Sequence, residues 1–423
     1  MTRHIIFGIL FCTVFMGAQA QNNSGSPYSF YGIGLLPDNN GPYGAMGGVS
    51  AAMRDNKQIN FLNPASYTAL DSNTFHFQLA LTGEYTGIST HRKSGRYRVA
   101  QNGNLNIANR LWKDLYFSFG FTEISDIGYD LLYSYMIAGS TTGYFNQNIS
   151  GEGGLNDIYA GLAWRYKNLS VGINFSYVFG KLEKQQTLTA QIENSFYIRT
   201  SENNRIHDFL FNPGLQYDFN LTPTSRMTVG TSFNFTQKLS AKKEFNSYKV
   251  SSSSGNSTML DQETLDRGYI KYPLRITTGL NYRYKNKWQL AGDYTFHKLS
   301  DYEEFKRNKQ LKDYHKVNIG AAWTPEETGR FWWQRNRYML GGYFIKSEIQ
   351  LKNTNINTYG VTLGTQIPFI IRRAQQASDL NLGIALDMGM RGTERNGLIQ
   401  ERYIKLRINV SFKELWFMKR KIN

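Results

Sequence analysis

The residue types that most often carry out catalysis or bind metals are few in this chain. No two of its histidines have the H-E-x-x-H spacing of a zinc protease. No G-x-S-x-G nucleophile elbow, P-loop or dinucleotide fingerprint occurs either. Because catalytic triads are assembled by geometry, a Ser–His pair formed across strands, as in a membrane lipase, is the alternative. The sequence otherwise predicts a protein that is not an enzyme, binds no metal and needs no cofactor. The histidines are His4, His76, His91, His207, His297 and His315.

The start of the chain has the three parts of a signal peptide. Arg3–His4 is a short basic region, Ile5–Gly17 is an apolar run, and Ala18–Ala20 is a small-residue cleavage site. The apolar run is shorter than the roughly 20 residues that a transmembrane helix needs, so residues 1–20 are predicted to be a signal peptide. Cys12, the only cysteine, lies within it. The mature chain is therefore predicted to have no thiol for a disulfide, a thiolate metal site or a nucleophile.

The chain is basic overall. It has 48 Lys and Arg against 32 Asp and Glu, a formal charge of +16, and these cations are spread along the sequence. An exported protein is not expected to meet nucleic acid, so lipopolysaccharide or anionic lipid headgroups are the expected anionic partners. The alternative is a solvated surface without a specific partner.

After residue 70 the chain repeats one theme, in which segments of roughly 10 to 15 residues alternate apolar and polar side chains. In Leu169–Tyr177, for example, Leu, Val, Ile, Phe and Tyr occupy one face, and Ser, Gly and Asn occupy the other. Small polar residues fit the crowded interior of a narrow barrel better than the water-facing side of a soluble sandwich. Aromatic residues near segment ends are predicted to lie at membrane interfaces. They are Trp112, Tyr166, Tyr217, Tyr284, Trp288 and Trp323.

The alternating segments predict an all-β fold, a transmembrane antiparallel β-barrel of about 14 strands. The predicted strands cover 74–85, 97–109, 114–126, 155–166, 169–180, 206–219, 226–240, 267–284, 288–301, 313–323, 338–350, 355–369, 379–391 and 401–413. An even number is typical of barrels made from a single bacterial chain.

Connections between the segments alternate in length. The long polar stretches Ile127–Gly154, Lys181–Arg205 and Ala241–Asp266 are predicted to be extracellular loops, since long loops of such barrels lie outside the cell. Thr324–Arg337 and Ile371–Ser378 are predicted to be the longer connections on the periplasmic side.

The alternation also divides the chain into regions. Residues 72–415 are predicted to form the barrel, and residues 416–423 a short basic C-terminal tail. Residues 21–71 are rich in Gly, Asn and Pro and show no sustained alternation. This segment either hangs in the periplasm or folds up into the lumen as a plug.

Short motifs in this first segment are similar to a known family. Ser26–Gly34 reads SPYSFYGIG, Gly44–Gly48 reads GAMGG, and Asn63–Ser66 reads NPAS. They resemble the N-terminal hatch of the FadL-like long-chain fatty-acid transport family of outer-membrane barrels, in the form found in Bacteroidota. Gly103–Asn106 and Val317–Pro325 resemble later parts of the same family. The resemblance covers essentially the whole mature chain.

The resemblance implies a 14-stranded barrel plugged by an N-terminal hatch, with passive uptake of hydrophobic molecules. In that family the ligand binds apolar pockets and leaves through a lateral opening made by an inward kink of the third strand. The hatch motif corresponds to Asn63, Pro64 and Ala65. The candidate kink residues are Ser125, Asp126, Gly128 and Tyr129.

Four basic residues are predicted by alternation to face the lumen, where they could bind the carboxylate of a fatty acid. They are Arg275, Arg283, Lys405 and Arg407. The alternative is that these cations pair with interior carboxylates such as Asp293, because barrel interiors are polar by default.

The sequence therefore predicts a channel in the outer membrane of a Gram-negative bacterium, with a hydrophobic, fatty acid-like ligand. The alternative is a non-transporting barrel subunit of a multiprotein outer-membrane assembly or secretion complex, which binds other outer-membrane or periplasmic proteins. Lys413–Asn423 and the basic periplasmic connections are its candidate docking surfaces. A transporter should have a pocket between hatch and wall and a gap near Ser125–Tyr129, whereas a subunit should have a sealed wall.

Overall fold

The computed structural model describes residues 25–32, 41–136, 143–190, 196–251, 253–373 and 376–416. The predicted signal peptide with Cys12, and nearly all of the predicted C-terminal tail, lie outside these residues. Its strands are β1 (Thr74–Ser89), β2 (Ser94–Trp112), β3 (Leu115–Met136), β4 (Tyr144–Tyr166), β5 (Leu169–Ala190), β6 (Phe196–Thr222), β7 (Ser225–Asn234), β8 (Gln237–Ser251), β9 (Ser257–Tyr272), β10 (Arg275–Tyr284), β11 (Trp288–His297), β12 (Glu303–Glu304), β13 (Arg307–Asn308), β14 (Tyr314–Trp323), β15 (Arg337–Leu351), β16 (Thr354–Arg373), β17 (Gln376–Gly392) and β18 (Gln400–Leu415).

The strands form one antiparallel sheet that closes on itself where β1 pairs with β18. Strands β7 and β8 are the two halves of one wall strand, because β6 pairs with both. Strands β9 and β10 form another, interrupted at Pro273, which has no N–H to donate to a neighbour. Strands β12 and β13 form a small hairpin between β11 and β14. The wall therefore has 14 strands, and the predicted closed barrel is confirmed.

The wall exposes its apolar side chains and buries its polar ones. On β18, Ile404 is 49% exposed and Leu406 46%, whereas Lys405 between them is 8% exposed and Arg407 only 3%. A soluble protein shows the opposite arrangement. A barrel in lipid needs an apolar outer face, because the surrounding hydrocarbon cannot solvate charges. The predicted two-residue alternation therefore describes the wall correctly.

The two ends of the barrel differ. At one end, called here the turn end, short connections such as Trp112–Leu115 and Tyr284–Trp288 join the strands. At the other, called the hairpin end, pairs of strands project as long hairpins. All six predicted interface aromatics lie near the turn end and are exposed, and Trp288 stacks on Trp323 with ring centroids 5.8 Å apart.

The prediction of long loops at the hairpin end was wrong. Most of Ile127–Gly154 is strand, since β3 and β4 stay paired up to Met136 and Tyr144. Lys181–Arg205 and Ala241–Asp266 likewise belong largely to hairpins. Beyond the apolar band both faces of a hairpin meet water, so the alternation stops while backbone pairing continues. Thr- and Tyr-rich sequences favour such strands.

One predicted connection at the turn end also proved to be strand. Much of Ile371–Ser378 belongs to β16 and β17, which are paired up to Arg373 and Gln376. Thr324–Arg337, by contrast, is a longer connection and contains a single helical turn, Trp332–Arg335.

Residues 41–71 lie inside the barrel rather than below it. This segment, called here the hatch, contains two 3-10 turns, Gly44–Met46 and Pro64–Ala69. Its Tyr43, Met46 and Tyr67 are fully buried.

Glycines of the wall provide the space for the hatch backbone. A Cβ added to Gly341 would lie 2.2 Å from the backbone nitrogen of Gly47, and one added to Gly230 would lie 2.0 Å from the carbonyl oxygen of Ala51. No side chain can be accommodated at such distances. The inner surface of the wall and the hatch are therefore shaped to each other.

The hairpin end of the lumen is filled by apolar side chains. The connection between β11 and β14 folds inward and buries Leu299 and Tyr302 completely. They pack in a cluster with Ile127 of β3, Leu182 of β5 and Leu239 of β8. The bore is thus filled by the hatch in its middle and by this cluster towards the hairpin end.

Candidate lateral opening and its hatch

The hatch motif anchors the plug to the wall. Asn63 caps the 3-10 turn Pro64–Ala69, and its side-chain oxygen accepts a hydrogen bond from the Ala65 N–H at 3.2 Å. Its side-chain nitrogen donates to the carbonyl of Ala51 at 2.6 Å and to that of Thr231 on the wall at 3.2 Å. Pro64 lies against the backbone of Gly172. Asn63 therefore joins two parts of the hatch to the barrel through one buried amide.

Asp293 of β11 is a second anchor. Its carboxylate accepts hydrogen bonds from the backbone N–H groups of Ser50 and Ala51, the latter at 2.9 Å. The sequence interpretation offered Asp293 as a partner for the luminal cations, whereas the structure shows it bound to the hatch backbone. No sequence pattern identifies this role, because the contact joins residues more than 240 positions apart.

The third strand leaves its neighbour partway along the barrel. The ladder between β2 and β3 runs from Trp112↔Leu115 to Asn104↔Thr122, while β3 remains paired with β4 up to Met136. The β3–β4 ladder has a bulge between Glu123 and Ser125, a feature that bends a strand. Within the described residues, β3 beyond Thr122 has no ladder to β2. The wall is therefore discontinuous there.

Beyond this point β3 turns inward. All four candidate kink residues, Ser125, Asp126, Gly128 and Tyr129, lie in the inward segment; Ser125, Asp126 and Tyr129 are buried, as is Ile127. Ile127 and Tyr129 belong to the apolar cluster that fills the hairpin end. The resemblance places its candidate kink in this segment, and in the structure the segment packs against that cluster.

Residues Ser26–Phe30, called here the N-terminal strap, bind the inward segment. The hydroxyl of Ser29 accepts a hydrogen bond from the Gly128 N–H at 3.0 Å. Its own proton has two acceptors within reach, the Ser26 carbonyl at 2.8 Å and the Gly128 carbonyl at 3.2 Å. The ring of Phe30 lies 5.5 Å from that of Tyr129. The kinked strand is thus held at its backbone by a residue almost 100 positions earlier.

The same strap is also bound at β17 and the start of β18, which β1 and β2 separate from β3 in the wall. Ser26 donates its hydroxyl proton to Glu401 at 2.7 Å, and Glu401 forms an ion pair with Arg391 at 2.8 Å. The Tyr28 hydroxyl donates to the carbonyl of Ile399. The strap therefore connects β3 with β17 and β18, past the intervening β1 and β2. The SPYS motif had suggested the family but not these contacts.

A small cavity lies behind the gap. Its volume is about 90 Å³, and it is bounded by Leu62 of the hatch, Asn104 of β2, and Thr122 and Ile124 of β3. The lining is completed by Phe61 of the hatch and by wall residues that include the acids Glu123 and Asp157. It is therefore located where a molecule passing between hatch and wall would reach the discontinuity.

The four candidate luminal cations fall into two groups. Arg283, Lys405 and Arg407 each form an ion pair, with Asp55 at 3.9 Å, Glu84 at 3.3 Å and Asp387 at 2.7 Å respectively. Arg275 lines the small cavity beside Tyr272, its side-chain hydrogen-bond partner, and forms no ion pair among the described residues. The pairing alternative thus applies to three of the four, and Arg275 is the one available to an anionic group.

Charges also hold the turn-end side of the hatch. Burial opposes ionisation of Asp55, but Arg337 at 3.1 Å and Arg283 lower the pKa of its carboxyl below the ordinary value. Burial lowers the pKa of the neighbouring Arg54 to about 10, although Asp218 at 3.3 Å opposes that change. Asp55 is therefore an anion and Arg54 a cation near neutral pH. Sequence analysis did not single out either residue.

Among the described residues, no group of three or more His, Cys, Asp or Glu side chains is arranged to hold a metal ion. No helix in the described ranges is long and apolar enough to cross a membrane.

Comparison with known proteins gives both a family and a fold. The family model described as BamG matches residues 1–423, and no curated protein matches the chain. A FadL homologue from Pseudomonas aeruginosa has 10% identity and a TM-score of 0.62, over 90% of this chain and 100% of that one. The Pseudomonas putida toluene transporter TodX has 14% identity and a TM-score of 0.58, over 91% and 100%.

A third solved structure, described as the CymD monoaromatic hydrocarbon channel, has 16% identity and a TM-score of 0.55, over 89% of this chain and 98% of that one. The names of these structures describe TodX as a transporter and CymD as a channel. At such low identities the likeness concerns the fold. The FadL-like resemblance expected from the sequence is confirmed at that level.

Proposed function

Since the chain belongs to the BamG family and has a FadL-like barrel, we propose that it is an outer-membrane channel for passive uptake of hydrophobic small molecules. The barrel captures the molecule, for example a long-chain fatty acid, in its lumen and releases it sideways between β2 and β3. The observation that best supports this release route is that the β2–β3 ladder ends at Asn104↔Thr122, where β3 bends inward beside a cavity. In this proposal the turn end faces the periplasm.

The energetics explain why a sideways exit is useful. An acyl chain gains about 0.8 kcal/mol for each CH₂ that it moves from water into hydrocarbon. A route that opened into the periplasm would forfeit this free energy, because the ligand would have to enter water. A gap in the wall lets the ligand move from the lumen into the bilayer. The polar outer surface of the membrane is then the only barrier that the channel has to bypass.

The size of the cavity indicates that passage requires movement. Pockets for drug-sized ligands occupy roughly 300–1,000 Å³. The cavity of about 90 Å³ is therefore too small for a long-chain fatty acid in this state. The hydrogen bond that Ser29 accepts from the Gly128 N–H, and the contact between Phe30 and Tyr129, must loosen for β3 to move. Arg275, at the cavity, is the cation that would receive a carboxylate.

Uptake of a labelled hydrophobic compound by cells tests this proposal. Leu62→Trp fills the cavity, so we expect uptake to fall to the level of cells that lack the gene. Leu340→Trp makes the same change on the outer face, where Leu340 is exposed, and should leave uptake unchanged. Folding of both variants is checked by heat-modifiable electrophoresis. Deletion of the gene without loss of uptake, or normal uptake by folded Leu62→Trp, would contradict the proposal.

A second candidate function is that of a non-transporting subunit in a multiprotein outer-membrane assembly. The observation that favours it is the β3–β4 hairpin, where Leu132 is 68% and Met136 62% exposed, with Tyr133 and Tyr135 also exposed between them. Consecutive exposed residues show that both faces of this hairpin are free of the barrel. Large apolar side chains so presented are typical of protein-binding surfaces.

Purification of the tagged chain in mild detergent, with lipid mass spectrometry, separates the two candidates. A subunit should be recovered with the same stoichiometric partner from each preparation, and Leu132→Asn should release it. Leu351→Asn, at the tip of the β15–β16 hairpin, is the matched control, because Leu351 is also exposed at the hairpin end. A monodisperse single chain with bound lipid-like ligand would favour the channel.

A further inference from the structure

A second, larger cavity lies below the hatch and is open at the turn end. Its volume is about 820 Å³, and the hatch, the ends of several wall strands and the turns between them form its lining. We call it the vestibule. Nine Lys or Arg and four Asp or Glu side chains line it, an excess of five positive charges. The channel function proposed above does not use this space.

The vestibule's two most buried acids are already neutralised. Asp218 lies 3.3 Å from Arg54 and 3.6 Å from Arg165, and Asp55 lies 3.1 Å from Arg337. Arg283 is a second, more distant partner of Asp55. Each buried acid therefore faces two arginines, so these groups alone leave positive charge in the cavity wall.

Five further cations line the vestibule. They are Lys57, Arg226, Lys285, Lys287 and Arg335. Among the described residues, none of the five has a carboxylate oxygen within 4.0 Å. The Nε of Arg335 is shielded from solvent and has no hydrogen-bond partner in the described structure. A buried donor without a partner is costly, so an anionic acceptor here would be strongly favoured.

The geometry points to an acidic polypeptide segment, rich in Asp and Glu, as the ligand of the vestibule. The five cations come from four separate places: the hatch, the start of β7, the β10–β11 turn and the helical turn Trp332–Arg335. A ring of this kind suits several carboxylates spaced along a chain rather than one phosphate. The cavity also faces water inside the ring of strand ends, whereas lipid headgroups lie outside the wall.

This inference shares with the proposed function only the assignment of the turn end to the periplasm. The ligand is accordingly a segment of a periplasmic protein or lipoprotein. Electrostatic capture of this kind weakens with salt, because ions screen charges that remain in contact with water.

Binding of a fluorescent peptide of alternating Asp and Gly to the purified full-length barrel tests the inference. Anisotropy should show saturable binding that weakens as salt is added. Replacing Lys57, Arg226, Lys285 and Lys287 by Gln should weaken binding at least about tenfold, since each replacement removes a charge-assisted contact. The same replacement of Arg92, Lys93, Lys306 and Arg307 is the matched control. Those four are exposed at the hairpin end and should have no effect.

Three results would overturn the inference. The first is equal binding of a peptide with Asn in place of Asp, and the second is an equal loss in the hairpin-end control. The third is displacement of the acidic peptide by inorganic phosphate or glycerophosphoglycerol at the same charge concentration, which would assign the vestibule to phosphate groups. This test is independent of the uptake test of the proposed channel function, because Leu62→Trp should block uptake but leave peptide binding unchanged.

Discussion

The buried amide of Asn63 allows a sharp test of how the hatch is held. Its oxygen accepts from the Ala65 N–H, and its nitrogen donates to carbonyl groups of Ala51, Leu215 and Thr231. Asn63→Ala removes a helical cap, worth about 1 kcal/mol, and a donor hydrogen bond worth a further ~1 kcal/mol. We therefore expect the hatch to lose about 2 kcal/mol of local stability.

Asn63→Asp should be more damaging, although it changes the shape of the side chain less. The carboxylate keeps the capping contact with Ala65, but its second oxygen faces the three carbonyl oxygens. A buried charge without a partner costs roughly 3–5 kcal/mol. Protonation would restore a donor, so the loss should be smaller at pH 5 than at pH 8.

Hydrogen–deuterium exchange of peptides from residues 41–71, measured in detergent micelles, reports this stability directly. A loss of about 2 kcal/mol corresponds to roughly 30-fold faster exchange for Asn63→Ala, and Asn63→Asp should exceed that at pH 8. Asn286→Asp, on an exposed turn, is the control and should not change hatch exchange. If Asn63→Asp protects the hatch better than Asn63→Ala at pH 8, the donor role of this amide is refuted.

Three further predictions concern contacts of the hatch and strap. Gly341→Ala should displace the hatch and speed hydrogen–deuterium exchange of residues 41–71, because the new methyl group overlaps the Gly47 backbone. Gly83→Ala is the control and should leave exchange unchanged, because Gly83 has open space around it. Because the pKa of Asp55 is lowered, its carboxylate should stabilise the hatch fully above about pH 4, and this stabilisation should be lost as the pH falls further. Asp55→Asn should abolish this acid dependence of hatch exchange. Ser29→Ala removes the hydrogen bond that the Gly128 N–H donates to the strap, worth about 1 kcal/mol, and should speed exchange in the inward part of β3 and raise uptake; unchanged exchange would show that the strap does not hold β3.

The wall was largely predictable from sequence, because the alternation is local. Leu169–Tyr177 alternates as it must when one face meets lipid, and the structure includes it in β5. The same rule failed beyond the apolar band: Lys181–Arg205 has no lipid-facing side to impose a pattern, although most of it forms strands.

The interior was less predictable, because its contacts join distant parts of the chain. Alternation showed that Arg275 and Arg407 face inward, but not that Asp387 pairs with Arg407 while Arg275 has no such partner. The bend in β3 followed from a family resemblance rather than from a physical pattern. Its restraint by Ser29 depends on a contact between residues 99 positions apart, which no periodicity encodes.

The attachment of the strap has a consequence for the biogenesis of the protein. Ser26, near the start of the described part of the chain, hydrogen-bonds Glu401 in the last strand, 375 positions later. The strap can reach this position only after the final strand, β18, has paired with β1. The strap, which comes first in the sequence, is thus among the last segments to dock. It must remain unbound inside the forming barrel until β18 is in place.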